Sequence, residues 1–296
     1  MKTNKWLTAH THSLIGKTVA ITGATGGIGK QLCHILAGLN ANLILINRNE
    51  TLSNKLKSEL LELYPNINIK IFKTDLEKFE DVKNTCNNLK GTTIDVLILN
   101  AGAYKIARRK TELGFDNVFQ INFISQYYLV KKLLKNLKQS NNPKVVAVGS
   151  IAHKFSEINL KDIDFSKCKT DSKVYGNAKR FLMFSLFELL KKQNINFTVA
   201  HPGITPTNIT QNYSKFVNSI IKYPMKAIFL SPKKASYSII EGVFDACDYG
   251  FWIGPKYFDI WGEPKPTKLK TFSVEECKQI YDIAEKIYTK IKTENN

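Results

Sequence analysis

The sequence predicts a single-domain α/β fold: a doubly wound parallel sheet with helices on both faces. Three observations carry this. Short runs rich in β-branched residues alternate along the chain with longer helical patterns. The strand runs are apolar almost throughout instead of alternating, as expected of strands covered on both sides. No repeat, linker or low-complexity tract divides residues 1–296 into more than one unit.

In chain order, strands are predicted at 17–22 (KTVAIT), 42–47 (NLILIN), 68–73 (NIKIFK), 95–100 (DVLILN), 144–150 (KVVAVGS) and 196–201 (NFTVAH). Helices are predicted over 27–39, 51–64, 77–89, 112–139, 172–193 and 232–246, the second stopped by Pro65, which lacks the N–H to continue it. A last amphipathic helix over 273–292 opens with the capping-box pattern Ser273-Val-Glu-Glu276. Residues 203–231 have weak periodicity and several breakers, so they are expected to form a lid over the sheet's C-terminal edge. Phe216, Ile220, Ile221, Tyr223, Met225, Ile228 and Phe229 within it read either as core packing or, where they face the cleft, as a surface for an apolar substrate.

Composition excludes several classes. The net charge is +18, yet only four of the 43 basic residues are arginine: Arg48, Arg108, Arg109 and Arg180. Base-edge and bidentate phosphate recognition favours arginine, and the lysines are spread over the whole chain, so no nucleic-acid partner is expected. Cys33, Cys86, Cys168, Cys247 and Cys277 are scattered singly with no histidines at ligand spacing, which predicts no metal site. His10 and His12 read as part of a frayed tail. No apolar run approaches the roughly 18 residues of a membrane span, and no signal-peptide core opens the chain, so a soluble cytoplasmic protein is expected.

Directly after the first strand comes TGATGGIG, residues 22–29, leading into the first helix. Glycine permits positive φ and close backbone approach, and a helix N-terminus holds a diphosphate through free N–H groups and its dipole. Gly23, Thr25, Gly26, Gly27, Ile28 and Gly29 are therefore candidate dinucleotide-binding residues. The second strand ends INRN, with Asn47 where an acid would bind a ribose hydroxyl and Arg48 beside it. A missing carboxylate and an added guanidinium favour a 2′-phosphate, hence NADP(H) over NAD(H), with NAD(H) still open.

Tyr175 and Lys179 stand at i and i+4 of a predicted helix, so phenol and ammonium share a face. A free tyrosine, with a pKa near 10, is a poor acid or base at neutral pH, and a neighbouring positive charge is expected to lower that value. Ser150 closes the fifth strand, where its hydroxyl can meet a substrate oxygen.

The pattern T-G-x-x-x-G-I-G, followed by Ser150, Tyr175 and Lys179 in that order, resembles the short-chain dehydrogenase/reductase family. The resemblance implies a Rossmann-type enzyme that moves hydride between a nicotinamide and a carbonyl/alcohol pair. It further implies that Tyr175 is the acid/base and that Ser150 orients the carbonyl. Lys179 would tune Tyr175 and hold ribose hydroxyls, and Asn122 would anchor a proton-relay water. Asp75 and Leu76 would lie at the adenine; Asn100, Ala101 and Gly102 along the cofactor; Pro202, Gly203 and Thr207 at its nicotinamide end. A homodimer or homotetramer is also implied.

Two features depart from the pattern. Gly149 stands where the family often has a first serine, and twenty-four residues separate Ser150 from Tyr175, which must form a loop near the site. That spacing, SIAH at 150–153 and GPKYFDIWGEPKP at 254–266 look most like the retinol-dehydrogenase-like branch, although MKTNKWLTAHTHS offers no membrane anchor. The alternative is a dinucleotide-sensing regulator without turnover.

Overall fold

The computed structural model describes residues 5–203, 205 and 230–294. Thr207 and the apolar side chains assigned to the lid lie outside the described residues. The six predicted strands form as β1 (Thr18–Thr22), β2 (Asn42–Asn47), β3 (Ile69–Lys73), β4 (Val96–Leu99), β5 (Lys144–Val148) and β6 (Asn196–Ala200). They pair in parallel in the order β3-β2-β1-β4-β5-β6. The order reverses between β1 and β4, which opens a crevice at their C-terminal ends.

Two further strands extend the sheet to eight. β7 (Phe251–Tyr257) runs parallel to β6, and β8 (Trp261–Lys268) returns antiparallel along the edge. Pro255, Pro264 and Pro266 hid these strands from a hydrophobic-pattern reading. Pro264 and Pro266 are tolerated because β8 is the sheet edge, and Pro255 because it lies beyond the β6–β7 pairing, which ends at Ile253.

Helices cover both faces. On one lie α2 (Gly27–Gly38), α3 (Glu50–Leu63) and α8 (Pro232–Phe244), packing Leu32, Leu36, Leu56, Leu60, Ile239 and Ile240 onto the sheet. On the other lie α4 (Phe79–Asn88), α6 (Ser125–Leu137), α7 (Asp171–Gln193) and α9 (Val274–Glu294). Val82, Leu129, Leu133, Phe181, Phe184 and Ile280 form that second core. Among the described residues, no helix is long and apolar enough to cross a membrane.

Three local expectations are corrected. The helix expected over 112–139 starts only at Asn117, as α5 (Asn117–Phe119), because Asp116 caps Val118 N–H at 2.9 Å and Thr111 to Gly114 form a turn. It then passes through a π-helical turn, Gln120–Ile124, before α6. The tail at His10 is docked: α1 (Lys5–His10) stacks Trp6 on Tyr237, ring centroids 4.6 Å apart, and His10 meets Glu241 at 3.1 Å. The capping box at Ser273 is one-sided. Its hydroxyl accepts Glu276 N–H at 3.3 Å, but the Glu276 carboxylate pairs with Arg180 on α7 instead. A buried guanidinium needs that carboxylate more than an exposed helix end does.

Candidate active site

The glycine turn follows β1. Gly23 sits at φ +69, and a side chain there would strike the Ala101 backbone at 2.8 Å, so the turn needs glycine on both counts. Asn100 at the end of β4 donates to the carbonyls of Thr22 (3.1 Å) and Gly23 (3.0 Å), while Ala101 N–H reaches the Thr22 hydroxyl at 3.0 Å. Asn100 thus holds the turn's shape. Gly26 precedes α2, and no side chain caps that helix. Its first N–H groups are left for an anionic ligand, and the residues present fit a dinucleotide diphosphate. Ile28 leans on the core behind, and Thr25, Gly26 and Gly27 face outward.

At the end of β2, Asn47 is buried. Its amide donates to the Ser53 hydroxyl at 3.0 Å, and its Oδ1 has no partner. Arg48 is exposed and forms no hydrogen bond or ion pair with the described residues. The other three arginines are all engaged. Arg108 binds Asp116 and the carbonyls of Phe165, Ser166 and Cys168; Arg109 clasps Glu77; Arg180 clasps Glu276 and donates to His153 O. Asp75 Oδ1 accepts Glu77 N–H at 3.1 Å in the turn after β3, with Leu76 buried behind it.

Ser150 follows β5 and caps a short 3-10 turn, Ile151–Phe155, by accepting Ala152 N–H at 3.2 Å. Gly149, the departure from the serine pair, has a packing cause: a Cβ there would lie 2.7 Å from Val199 Cγ1. Tyr175 is in the first turns of α7, partly exposed, with Gly176 next to it. A side chain at 176 would sit 2.2 Å from the Ala152 carbonyl, so glycine lets the 3-10 turn and α7 close together and brings Ser150 to Tyr175. The twenty-four-residue segment between them packs back on the site. Asn177 donates to Ile163 O at 2.7 Å, Asp116 N–H to Asp164 at 2.7 Å, and Phe165 is buried against Val118 and Val174.

Lys179 is only 1 % exposed. Its ammonium donates to Val148 O at 2.9 Å, lies 5.7 Å from the centre of the Tyr175 ring, and has no carboxylate partner among the described residues. Burial lowers its pKa to about 8. A Cβ on Gly102 would meet Asn122 Oδ1 at 2.8 Å and Lys179 Nζ at 3.5 Å, so these three positions adjoin. Asn122 stands on the π-helical turn, and its side chain is fully used: Oδ1 accepts Ala103 N–H (3.2 Å), and the amide donates to Ala103 O and Val118 O (both 2.8 Å). Its main-chain carbonyl accepts the Gln126 amide at 3.2 Å. Asn122 therefore fixes the 102–103 backbone over Lys179.

The Tyr175 phenol differs from expectation. Burial raises its pKa, Tyr104 adds to the rise, and a hydrogen bond with Ser150 opposes it. The Lys179 ammonium lies 5.7 Å from the ring centre and donates to Val148 O, and the rise from burial prevails. Tyr104, 5.2 Å from Tyr175 between ring centres, is a site residue that sequence reasoning missed. Its closeness to Gly102 in the chain was the available signal.

Two buried histidines brace the site. His153 lies 2.6 Å from Ser150 O through Nδ1, which therefore donates, and 2.8 Å from the Thr271 hydroxyl through Nε2. His201, after β6, stacks on Trp252 with ring centres 5.0 Å apart and precedes Pro202 and Gly203. Burial lowers both pKa values to about 4. The unfolded chain takes up protons near pH 6.5 that the folded state refuses, so this stability is complete above about pH 6.5 and is lost as pH falls toward about 4. Each histidine should account for up to about 3 kcal/mol. Urea unfolding at about pH 7 and about pH 4.5 checks this, and His153→Gln should flatten the acid limb.

A family model described as short chain dehydrogenase matches residues 17–218. Retinol dehydrogenase 14 of Mus musculus is 27% identical over 290 residues, covering 91% of this chain and 85% of that protein. Polyprenol dehydrogenase of Homo sapiens is 27% identical over 204 residues, 65% of this chain and 62% of that protein. A solved Mycobacterium Paratuberculosis protein superposes with a TM-score of 0.72 at 20% identity, covering 95% of this chain and 96% of its own. A Sphingobium yanoikuyae short-chain dehydrogenase in complex with NADPH gives 0.58 at 20% identity, over 76% of this chain and 83% of its own. The match spans most of the chain, from the glycine turn through the helix bearing Tyr175 and Lys179, and the chain therefore belongs to the short-chain dehydrogenase family of NAD(P)-dependent oxidoreductases.

Proposed function

We propose that the protein reduces or oxidises an apolar carbonyl/alcohol pair with NADP(H), using Tyr175 as acid/base, Ser150 to orient the substrate oxygen, Lys179 as the charge behind Tyr175, and Asn122 to hold the 102–103 backbone beside the lysine. The observation that carries the reading is the buried, carboxylate-free ammonium of Lys179 beside Gly102 and below the Tyr175 ring. A lone buried charge is costly and persists where a ligand or a reaction uses it.

The bound nicotinamide supplies or accepts the hydride. In the reductive direction the Tyr175 hydroxyl donates its proton to the substrate oxygen, on which negative charge develops as the carbonyl carbon is reduced. Ser150 Oγ donates to that same oxygen and shares the charge. The phenolate left on Tyr175 is stabilised by the Lys179 ammonium, 5.7 Å from the ring centre, and is reprotonated by solvent, Tyr175 being partly exposed. Proximity to retinol and polyprenol dehydrogenases supports an apolar substrate class.

Arg48, the one partnerless arginine among the described residues, supports a 2′-phosphate and hence NADP(H). The test is to follow NADPH and NADH oxidation by the purified protein across aliphatic and aromatic carbonyls. Arg48→Ala should weaken NADPH by about tenfold to a hundredfold and leave NADH within about twofold. Equal use of both cofactors by the unaltered protein would remove Arg48 from this role.

A further inference from the structure

The tip of the β7–β8 hairpin combines two features that are each unfavourable for a protein in water. Phe258 and Asp259 stand at φ +55 and +58 in a turn closed by Ile260 N–H to Tyr257 O at 3.0 Å. Such turns take Gly, Asn or Asp; a bulky side chain there is strained. Phe258 is also 85 % exposed, so no packing among the described residues offsets the strain. Around it Tyr257 and Trp261, 43 % and 47 % exposed, stack with ring centres 4.6 Å apart. Phe155, 61 % exposed, follows Lys154, whose ammonium reaches Asp259 of the turn at 3.2 Å.

The setting is cationic. Lys256 lies 5.4 Å over the Tyr257 ring, and Lys265, Lys268 and Lys270 are exposed along the returning strand and just beyond it. Of the two acids in the hairpin, Asp259 is paired with Lys154, leaving Glu263, on a chain of net charge +18. Pairing of the edge with a second protein strand is disfavoured, because β8 carries Pro264 and Pro266 as well as lysines. An apolar tip with flanking tyrosine and tryptophan, with Lys154 and Lys256 beside it and further lysines back along the hairpin, matches the layered polarity of a bilayer surface.

We propose that the Phe258 tip inserts into the headgroup region of an anionic lipid bilayer. Gly203, which follows β6 beside the site, packs against this hairpin: a Cβ on it would meet Ile260 O at 2.6 Å and Pro255 Cγ at 3.0 Å. A lipid-dissolved substrate would then reach the site from the membrane side, a consequence that rests on the oxidoreductase reading; the docking itself does not.

The test sediments the full chain with vesicles of phosphatidylcholine, with and without phosphatidylserine. Binding is expected to the anionic vesicles only and to fall with added salt. Phe258→Gly should weaken it about tenfold or more. The same variant should melt no lower than the unaltered protein, since glycine relieves the left-handed turn, and should oxidise NADPH with a water-soluble ketone at an unchanged rate. Phe258→Asn serves as a second variant with the same expectations. Absence of binding to anionic vesicles, or equal binding by both variants, overturns the proposal. So does a Phe258-dependent dimer in vesicle-free sedimentation, which would assign the tip to a second copy. Vesicle binding is read without turnover, so failure of the catalytic reading leaves this result interpretable.

Discussion

Tyr175→Phe is expected to lower kcat by about 10²–10⁴-fold while leaving the dissociation constant for NADPH within about twofold. The substitution deletes one oxygen. The ring contact with Tyr104 and the position of Lys179 over the ring face remain, because neither uses the hydroxyl. What disappears is the proton donor to the substrate oxygen and the hydrogen bond with Ser150. Single-turnover NADPH oxidation, with cofactor fluorescence for binding, separates the two effects. Turnover surviving in the Phe variant would take Tyr175 out of the reaction.

Gly176→Ala should be the most disruptive single methyl group near the site. The new Cβ would lie 2.2 Å from the Ala152 carbonyl oxygen and 2.9 Å from Ser156 Oγ, and the nearer atom is main chain, which cannot rotate away. Either the 3-10 turn or the start of α7 has to move. Overpacking of this kind costs about 1–3 kcal/mol or more, equivalent to a fall of several degrees in thermal midpoint for a chain of this size. The same movement separates Ser150 from Tyr175, so kcat should fall by about tenfold or more even in folded protein, since misplacement by about an ångström is sufficient. Circular dichroism melting paired with kcat checks both. A variant with unchanged stability and rate would show that the turn and helix are not held together at this point.

The sequence made the parallel sheet legible because each of its strands is a local apolar run, buried on both faces wherever helices cover it. The C-terminal hairpin was illegible for the opposite reason. Its prolines and lysines suit an edge, and an edge exists only once the other strands have assembled. Gly176 shows the same division: a small residue beside Tyr175 was visible, but its cause, the Ala152 carbonyl, is contributed by a turn twenty-four positions upstream. The rarity of arginine was informative, yet only contacts distinguish Arg108, Arg109 and Arg180, which bind the protein itself, from Arg48, which does not.

The succession of six strands and their intervening helices, the glycine turn and the one-turn spacing of Tyr175 and Lys179 follow from local rules of backbone geometry, and the linear chain contains all of them. The protonation balance at Tyr175 does not. It depends on how deeply the phenol and ammonium are buried and on which carbonyl captures the lysine, and desolvation is a property of packed neighbours that no stretch of sequence carries alone.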